Sequence, residues 1–246
     1  MDPVTIALIA GLMMLAAMLY TSVGHAGASA YLAIMALFAV APETMRPTAL
    51  VLNVLVASFA TWRFVRAGQF NGRLMAAFVL GAVPAAFVAG WFTLPDDVYK
   101  PVIALMLLLA AIRMIWPTDL SKAAEPRPPH LLIAVLVGAG IGVLSGLTGT
   151  GGGIFLSPII LLMGWETTRR TSGIAAGFIL CVSAAGLAGN LSSVGRLPPE
   201  LPWFMAAVVL GAIIGTRFGV SKLDPSRLRQ ALGVVLIIAS AKIALT

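Results

Sequence analysis

Long uncharged apolar runs alternate with short polar segments along this 246-residue chain. A helix needs about 20 mostly apolar residues to cross a membrane. Two shorter runs, residues 28–41 and 154–163, follow glycine clusters and, at about 1.5 Å per residue, cannot cross a hydrocarbon core of roughly 30 Å alone. The pattern therefore predicts an all-α polytopic membrane protein with eight long hydrophobic helices and two short ones. The cores of the long helices are predicted at residues 4–20, 48–62, 74–94, 101–112, 131–147, 171–191, 203–215 and 232–241.

The composition favours a membrane protein over a soluble one. Apolar residues make up 60% of the chain and charged residues 10%, whereas a soluble domain averages about 25% charged. The net charge of +7 does not indicate nucleic-acid binding, because the 16 Lys and Arg residues are scattered between the apolar runs. One cysteine and two histidines cannot form an internal disulfide or a typical metal cluster, so we expect no metal and no cofactor.

The chain divides into two similar halves. Residues 117–130 are polar and proline-rich and are predicted to link a first membrane repeat, residues 1–116, to a second, residues 131–246. Residues 24–28 (GHAGA) align with residues 149–153 (GTGGG), and residues 46–48 (RPT) align with residues 170–172 (RTS). Further matches follow in the same order, at an offset of about 124 to 130 residues. An internal duplication is predicted.

The basic residues predict the orientation of the halves. If each short segment returns to the side it came from, the Lys and Arg residues divide twelve to four between the two sides; otherwise they divide eight to eight. Because basic residues concentrate on the cytoplasmic side, the first case is favoured. It gives two inverted repeats, each with a glycine-interrupted (broken or re-entrant) helix hairpin plus three spanning helices, a cytoplasmic linker and both termini outside. The four outside residues are Arg46, Lys100, Arg196 and Lys242, and the twelve inside are Arg63, Arg66, Arg73, Arg113, Lys122, Arg127, Arg169, Arg170, Arg217, Lys222, Arg227 and Arg229.

The glycine-rich run at residues 149–153 is the strongest candidate binding site. Consecutive glycines make a continuous helix costly, so this run predicts an unwound segment followed by a half-helix whose N–H groups and positive dipole end favour an anion. The run does not complete a nucleotide-binding loop. Glycines spaced by four elsewhere, such as Gly138, Gly142 and Gly146, are instead predicted to let helices pack closely. The candidate residues of the run are Gly149, Thr150, Gly151, Gly152 and Gly153.

His25 lies in the corresponding segment of the first half and is the titratable side chain predicted nearest the membrane centre. Two interpretations stay open: its charged form binds an anionic solute, or a neutral ring hydrogen-bonds an unwound carbonyl. All nine acidic residues fall in loops or near termini, which favours anionic or neutral cargo over cations. The remaining candidates for substrate binding are Gly24, Gly27, Ser29, Thr48, Asn53 and Asn190.

These motifs resemble the sulfite exporter TauE/SafE family of membrane transporters. The resemblance spans nearly the whole chain and rests on the two-half organisation, on SGLTGTGGGIFLSP at residues 145–158 and on TALVLN at residues 48–53. The first half departs from the usual glycine triplet and reads GHAGAS at residues 24–29. The resemblance implies transport of sulfite, sulfoacetate or related anions across the bacterial cytoplasmic membrane.

The favoured function is a secondary transporter, and specifically an exporter, of a small oxyanion that works by alternating access at a site between the repeats. Its expected partners are the anion and the lipid bilayer, not nucleic acid, and a homodimer stays open. Two alternatives also remain: a carrier of a neutral or zwitterionic organic solute, and a non-transporting membrane assembly subunit. An enzyme is disfavoured, because the sequence offers no paired acid and base and no nucleophile with a base nearby.

Overall fold

A computed structural model describes residues 2–115, 126–220, 234, 236–238 and 240–244 of the protein. Most of the predicted linker lies outside the described residues, as does part of the predicted helix core at 232–241. Four basic residues of the topology count, Lys122, Lys222, Arg227 and Arg229, also lie outside them.

The described part of the chain is helical, without a β-strand. The first seven predicted cores each overlap a long helix, and the two short runs overlap two ten-residue helices. The described positions from 234 to 244 are helical as well. The helices are α1 (Pro3–Ser22), α2 (Ala28–Leu37), α3 (Pro42–Arg66), α4 (Gly72–Trp91), α5 (Asp96–Ile115), α6 (Leu131–Thr148), α7 (Gly153–Leu162), α8 (Thr168–Gly189) and α9 (Leu201–Val220), with a 3-10 helix, Leu191–Arg196, between α8 and α9.

Length and apolar composition make this a polytopic membrane protein. Five described helices, α1, α3, α4, α6 and α8, are long and apolar enough to cross a membrane, while α2, α7 and the Leu201–Arg217 part of α9 are shorter apolar helices. Large apolar side chains on the outer surface of the helices are exposed, including Leu8, Leu80, Leu136 and Leu210. In water this exposure would be unfavourable, but lipid accommodates it.

Local sequence explains where several helices begin and end. The side chain of Asp2 accepts a hydrogen bond from the Thr5 amide at 2.9 Å and caps α1. Asn71 caps α4 in the same way, through the Leu74 amide at 3.1 Å. Gly149 ends α6 in the left-handed conformation that glycine adopts without strain.

Glycines bring the backbones of α4 and α6 into contact, and the order of the contacts gives the helix directions. Gly138 of α6 lies against the carbonyl group of Phe78 in α4, and Gly146 lies against Ala86. A Cβ atom at either glycine would collide with the α4 backbone. The residue numbers rise together, so α4 and α6 run in the same direction, and the predicted role of these four-spaced glycines in packing is confirmed.

The same kind of contact orients α8. Gly173 of α8 packs on Gln69, next to the start of α4, and Gly189 packs on Phe87 near the end of α4. Thus α8 runs in the direction of α4.

Two further helix pairs complete this picture. Gly211 and Gly215 of α9 lie against Met14 and Met18 of α1, so α1 and α9 are parallel. By contrast, α3 is antiparallel to α8. Its residue Leu50 approaches Gly186 near the end of α8, whereas Phe64 packs with Ala176 in the first half of α8.

One end of the bundle, which we call the Glu43 face, is where α3 begins and α4, α6 and α8 end. Arg46 in the second turn of α3 donates a hydrogen bond to the Phe92 carbonyl just after α4, at 2.8 Å. Gly149, just after α6, also packs against Arg46.

The other end, which we call the Glu166 face, is where α3 ends and α4, α6 and α8 begin. Here the side-chain amide of Asn71 donates to the carboxylate of Glu166, which precedes α8, at 2.7 Å. α1 ends toward the same face, because Gly24 packs on Ser172 in the second turn of α8.

Each short helix leads the chain back toward the face from which the preceding long helix came. α6 starts at the Glu166 face and ends at the Glu43 face, and α7 then leads to Glu166. α1 ends toward the Glu166 face, and α2 then leads to α3, which starts at the Glu43 face.

The basic residues whose side chains the structure describes divide between the two faces; the side chain of Arg113, near the end of α5, lies outside the described part. Four adjoin the start of α3 at the Glu43 face, and seven lie at helix ends or loops of the Glu166 face. The first group is Arg46, Lys100, Arg196 and Lys242, and the second is Arg63, Arg66, Arg73, Arg127, Arg169, Arg170 and Arg217.

Candidate functional site

Two helices begin inside the protein after unwound, glycine-containing segments. Gly24 and Gly27, before α2, have φ angles of 81° and 105°, and Gly151 and Gly152, before α7, have φ angles of 77° and 74°. Side chains rarely adopt this left-handed region, so glycine suits these positions. The sequence prediction of an interrupted helix at each cluster is confirmed.

The start of α7 presents unused hydrogen-bond donors. The amides of Gly151, Gly152 and Gly153 make no hydrogen bond to the described part of the chain. All three residues are buried, so lipid and bulk water do not cover these amides. Free amides and the positive end of a helix dipole together attract negative charge.

His25 joins the two unwound segments. Its Nε2 lies 3.0 Å from the Gly153 carbonyl oxygen and 3.2 Å from the Ser157 hydroxyl. Because a carbonyl can only accept, the contact with Gly153 requires a proton on Nε2. The ring of Tyr20 meets the His25 ring edge-on, with centroids 6.4 Å apart. The histidine of the first half is therefore held against the helix start of the second half.

Asn53 connects α3 and α8 beside the same segment. Its Nδ2 donates to the Ser183 hydroxyl at 3.2 Å, and the residue is fully buried. Gly151 lies so close that a Cβ atom there would collide with this amide group. Asn53 Oδ1 and the Ser145 hydroxyl are buried without a hydrogen-bond partner in the described structure, and Ser145 adjoins Gly152. Buried polar atoms without a partner therefore lie around the glycines, where a polar ligand could form hydrogen bonds with them.

Other predicted site residues take structural partners. Ser29 shares a hydrogen bond with Tyr20 at 2.7 Å, and Thr150 shares one with Thr148 at 3.0 Å. Gly27 packs closely on Tyr31 in the first turn of α2.

Two predicted residues are not brought to the glycines by any contact in the described structure. Thr48 is fully buried, and its hydroxyl has no hydrogen-bond partner among the described residues. Asn190 lines a small cavity of about 40 Å³ at the Glu43 face, together with Arg46 and Arg196.

Sequence reasoning missed three polar residues around the segments. Ser157 follows Gly153 by four residues, so it lies one turn further on the same helix face, and this spacing could have revealed it. Ser183 and Tyr20 gave no such signal, because serine in an apolar helix usually bonds back to its own backbone and a tyrosine there suggests only core packing. Their roles depend on which helices pack together.

Two charged side chains are buried among the described residues, one at each face of the bundle. Among the described side chains, Glu166 is a buried carboxylate, and it lies at the Glu166 face, bonded to Asn71 and to the Thr167 amide at 2.8 Å. Arg46 is buried at the opposite face, where it also donates to the Gly90 carbonyl at 2.9 Å. In the described part of the chain no three His, Cys, Asp or Glu residues gather as metal ligands.

Comparison with known proteins identifies the family. The model of the family "Sulfite exporter TauE/SafE" matches residues 9–243. Probable membrane transporter protein y4hK of Sinorhizobium fredii is 40% identical over 231 residues, which cover 92% of this chain and 93% of that protein. Probable membrane transporter protein YjnA of Bacillus subtilis is 23% identical over 240 residues, covering 89% and 92%.

A third relative agrees with these matches over about half of its length. Probable membrane transporter protein MJ0441 of Methanocaldococcus jannaschii is 29% identical over 148 residues, or 56% of this chain and 54% of that protein. No solved structure matches the chain. The family and the names of these relatives indicate a membrane transporter and not an enzyme. The chain therefore belongs to the sulfite exporter TauE/SafE family.

Proposed function

We propose that this transporter exports a small oxyanion, sulfite or an organosulfonate, through a site between two inverted repeats. The observation that carries the proposal is the start of α7, where the buried amides of Gly151, Gly152 and Gly153 are unused and His25 of the other half adjoins them. A compact anion with up to four oxygens could accept hydrogen bonds from several of these groups at once. The family name agrees with an anion.

The helix directions support an inverted relation of the repeats. α1 and α6 hold corresponding places in the two halves, and α1 ends toward the Glu166 face whereas α6 ends at the Glu43 face. The packing pairs correspond as well: α4 of the first half packs on α6, and α9 of the second packs on α1. The seven described basic residues at the Glu166 face and four at the Glu43 face favour a cytoplasmic Glu166 face in the bacterial inner membrane, with both termini outside.

Polar contacts join the halves at both faces, and we propose that alternating access breaks them in turn. At the Glu166 face Asn71 holds the buried carboxylate of Glu166 at 2.7 Å. At the Glu43 face Arg196 bonds to Glu43 at 3.0 Å, and both side chains are about half exposed. The exposed pair is the weaker one, because water and salt screen it.

His25 supplies a route for proton coupling. In the neutral state the N–H group of Nε2 donates a hydrogen bond to the Gly153 carbonyl, as the contact at 3.0 Å requires. A protonated ring would add positive charge beside the α7 amides and bind an anion more tightly, and loss of the proton would favour release.

A thermal unfolding screen tests the substrate class. We expect sulfite, methanesulfonate and sulfoacetate to raise the melting temperature of the purified protein, since a ligand at one hundred times its Kd adds about 2.7 kcal/mol of stability. A neutral or zwitterionic solute that stabilises the protein when these anions do not would instead favour the alternative carrier. If none of the solutes stabilises it, the oxyanion proposal fails.

A further inference from the structure

A repeated motif marks the beginnings of α3 and α8. Residues 43–48 read ETMRPT and residues 166–171 read ETTRRT, so Glu, Thr, Arg and Thr recur in the same order and spacing, 123 residues apart. This longer match is one residue out of step with the match of RPT to RTS. It pairs Arg46 with Arg169 and makes α3 and α8 the corresponding long helices of the two halves.

Corresponding residues of the motif have different environments. Arg46 is buried, where it donates to carbonyl groups at the end of α4, whereas Arg169 is exposed. Glu43 lies within α3 and is exposed, whereas Glu166 precedes α8 and is buried. The same motif is therefore held in two different arrangements, one in each half.

The unwound segments measure how the positions of α3 and α8 differ along their axes. Gly24 and Gly149 are equivalent, because both are left-handed, with φ angles of 81° and 82°, and each lies three residues before the N-cap of a short helix. Gly149 packs on Arg46. In an identical arrangement Gly24 would pack on Arg169. Gly24 instead packs on Ser172, three residues further along α8, which is about 4.5 Å at 1.5 Å per residue.

One movement of α3 and α8 together would exchange the two positions. The helices are antiparallel and packed together, and Asn53 of α3 bonds to Ser183 of α8. To exchange positions, α3 moves outward at the Glu43 face and α8 moves inward from the Glu166 face, which are displacements in the same direction. Gln69, which packs on Gly173 of α8, follows the end of α3 and moves with it. The two helices can therefore slide toward the Glu43 face without separating from each other.

Two glycines let α8 pack on α4 both before and after such a slide. Gly189 lies against the Phe87 carbonyl of α4, where a Cβ atom would collide. A slide of three residues brings Gly186 to this place. In the structure Gly186 does not need to be glycine, because a Cβ atom there would make only ordinary contacts, 3.7 Å from Gly146 and Leu50. The second position explains why this residue is a glycine.

We propose that α3 and α8 slide together by three residues, close to one helical turn, during the transport cycle, and that Arg46 and Arg169 position them at its two ends. The proposal rests on the inverted repeats and alternating access of the proposed function. The first position is that of the structure, and in the second Arg46 leaves the end of α4. One-turn ratchets of packed elements are an established type of transition.

The end of α9 offers Arg169 the acceptors that the end of α4 offers Arg46. α9 is parallel to α1, so it ends at the Glu166 face, where Arg169 lies. Carbonyl groups at the end of a helix favour a cation. In the second position Arg169 donates to these groups.

Gly186→Ala tests the slide, because the added Cβ atom fits the first position and collides with the Phe87 carbonyl in the second. We expect this variant to keep the melting temperature of the unmodified protein. Its kcat for oxyanion flux in proteoliposomes should fall by about tenfold or more, because the collision depopulates the second position. Gly140→Ala in α6 is the matched control and should keep both values. A kcat of Gly186→Ala equal to that of the control would overturn the slide.

Thiol labelling detects the slide without any need for transport. Met45 is buried, whereas the corresponding Thr168 is exposed, and the slide exchanges these environments. One reporter, Met45→Cys or Thr168→Cys, is introduced into a Cys181→Ala background, and its reaction with a polar maleimide is followed in detergent. Arg46→Gln removes charge-assisted hydrogen bonds that only the first position makes, which shifts the balance of the two positions by about tenfold.

The two reporters should respond to Arg46→Gln in opposite directions. From a starting ratio of about ten to one, the two positions become nearly equal in population, so Met45→Cys should react about fivefold faster and Thr168→Cys about twofold more slowly. Adding Gly186→Ala should restore both rates. A faster reaction of Met45→Cys alone would indicate local loosening around Arg46 and would overturn the slide, as would two unchanged rates.

The two proposals can fail separately. If the reporters respond reciprocally but no oxyanion is transported, the proposed substrate fails and the slide stands. If oxyanions are transported, but Gly186→Ala transports them as well as Gly140→Ala and the reporters do not respond reciprocally, only the slide fails.

Discussion

Replacing Gly151 with alanine should destabilise the protein by about 1.5–3.5 kcal/mol. Gly151 has a φ of 77°, and forcing a residue with a Cβ atom into the left-handed region costs roughly 1–2 kcal/mol. The new Cβ atom would also collide with the side-chain amide of Asn53. If Asn53 moves away, its hydrogen bond to Ser183 is lost, which costs about 0.5–1.5 kcal/mol.

Thermal unfolding in detergent measures this loss. Cys181 is the one cysteine of the sequence and lies half-buried in α8, so a thiol-reactive dye reports its exposure on unfolding. For a chain of this length about 1 kcal/mol shifts the melting temperature by 2–4 °C, which predicts a fall of roughly 3–14 °C.

A matched substitution separates backbone strain from the general effect of alanine. Gly140 lies in α6 with nothing within 4 Å of a Cβ atom there. Gly140→Ala should therefore leave the melting temperature unchanged or raise it slightly, because alanine favours a helix by up to about 1 kcal/mol over glycine. If Gly151→Ala melts within about 1 °C of the unmodified protein, the left-handed geometry and the contact with Asn53 cannot be correct.

Three further predictions concern packing and the two faces. Gly142→Leu should separate α4 from α6 and prevent a stable fold, because a Cβ atom at Gly142 already collides with the Ala82 carbonyl; expression as a monodisperse protein, with Gly140→Leu as the tolerated control, checks this. Asn71→Ala should cost more stability than Asn71→Ser, since serine still caps α4 while alanine also loses the cap worth about 0.5–2 kcal/mol; equal melting temperatures would contradict the capping role. Glu43→Gln should change stability by at most about 1 kcal/mol, and a larger loss in the same unfolding assay would mean that its contact with Arg196 is not an ordinary exposed ion pair.

Hydrophobicity alone located most of the helices but not all of their ends. The predicted core at residues 131–147 differs from α6 by one residue, because its apolar run is bounded by a polar segment and a glycine cluster. For α3 the predicted core began at residue 48, yet the helix begins at Pro42. The charge of Arg46 suggested that the residues before position 48 lie at the membrane interface. In the fold this charge is buried, and carbonyl groups at the end of α4 accept its hydrogen bonds.

The candidate site was predictable to the extent that it is local in sequence. The glycine clusters and His25 could be found because unwinding depends on neighbouring residues, and the alignment of the halves suggested that the clusters were related. The contact of Asn53 with Ser183 joins residues 130 positions apart, so it depends on the packing of α3 against α8. The cavity lined by Lys100 and Lys242 was likewise hidden, because it forms only where α5 packs beside residues 240–244.

Flux of labelled sulfite in proteoliposomes tests the central claim most directly. We expect the unmodified protein to transport sulfite, methanesulfonate to compete, and both Gly151→Leu and His25→Ala to reduce the flux at least tenfold, while Gly140→Leu retains it. Folding of each variant is checked by the Cys181 assay, so that lost transport is not confused with lost protein. Sulfite flux that survives both Gly151→Leu and His25→Ala, or an unmodified protein that transports no oxyanion, would contradict the proposed site and substrate.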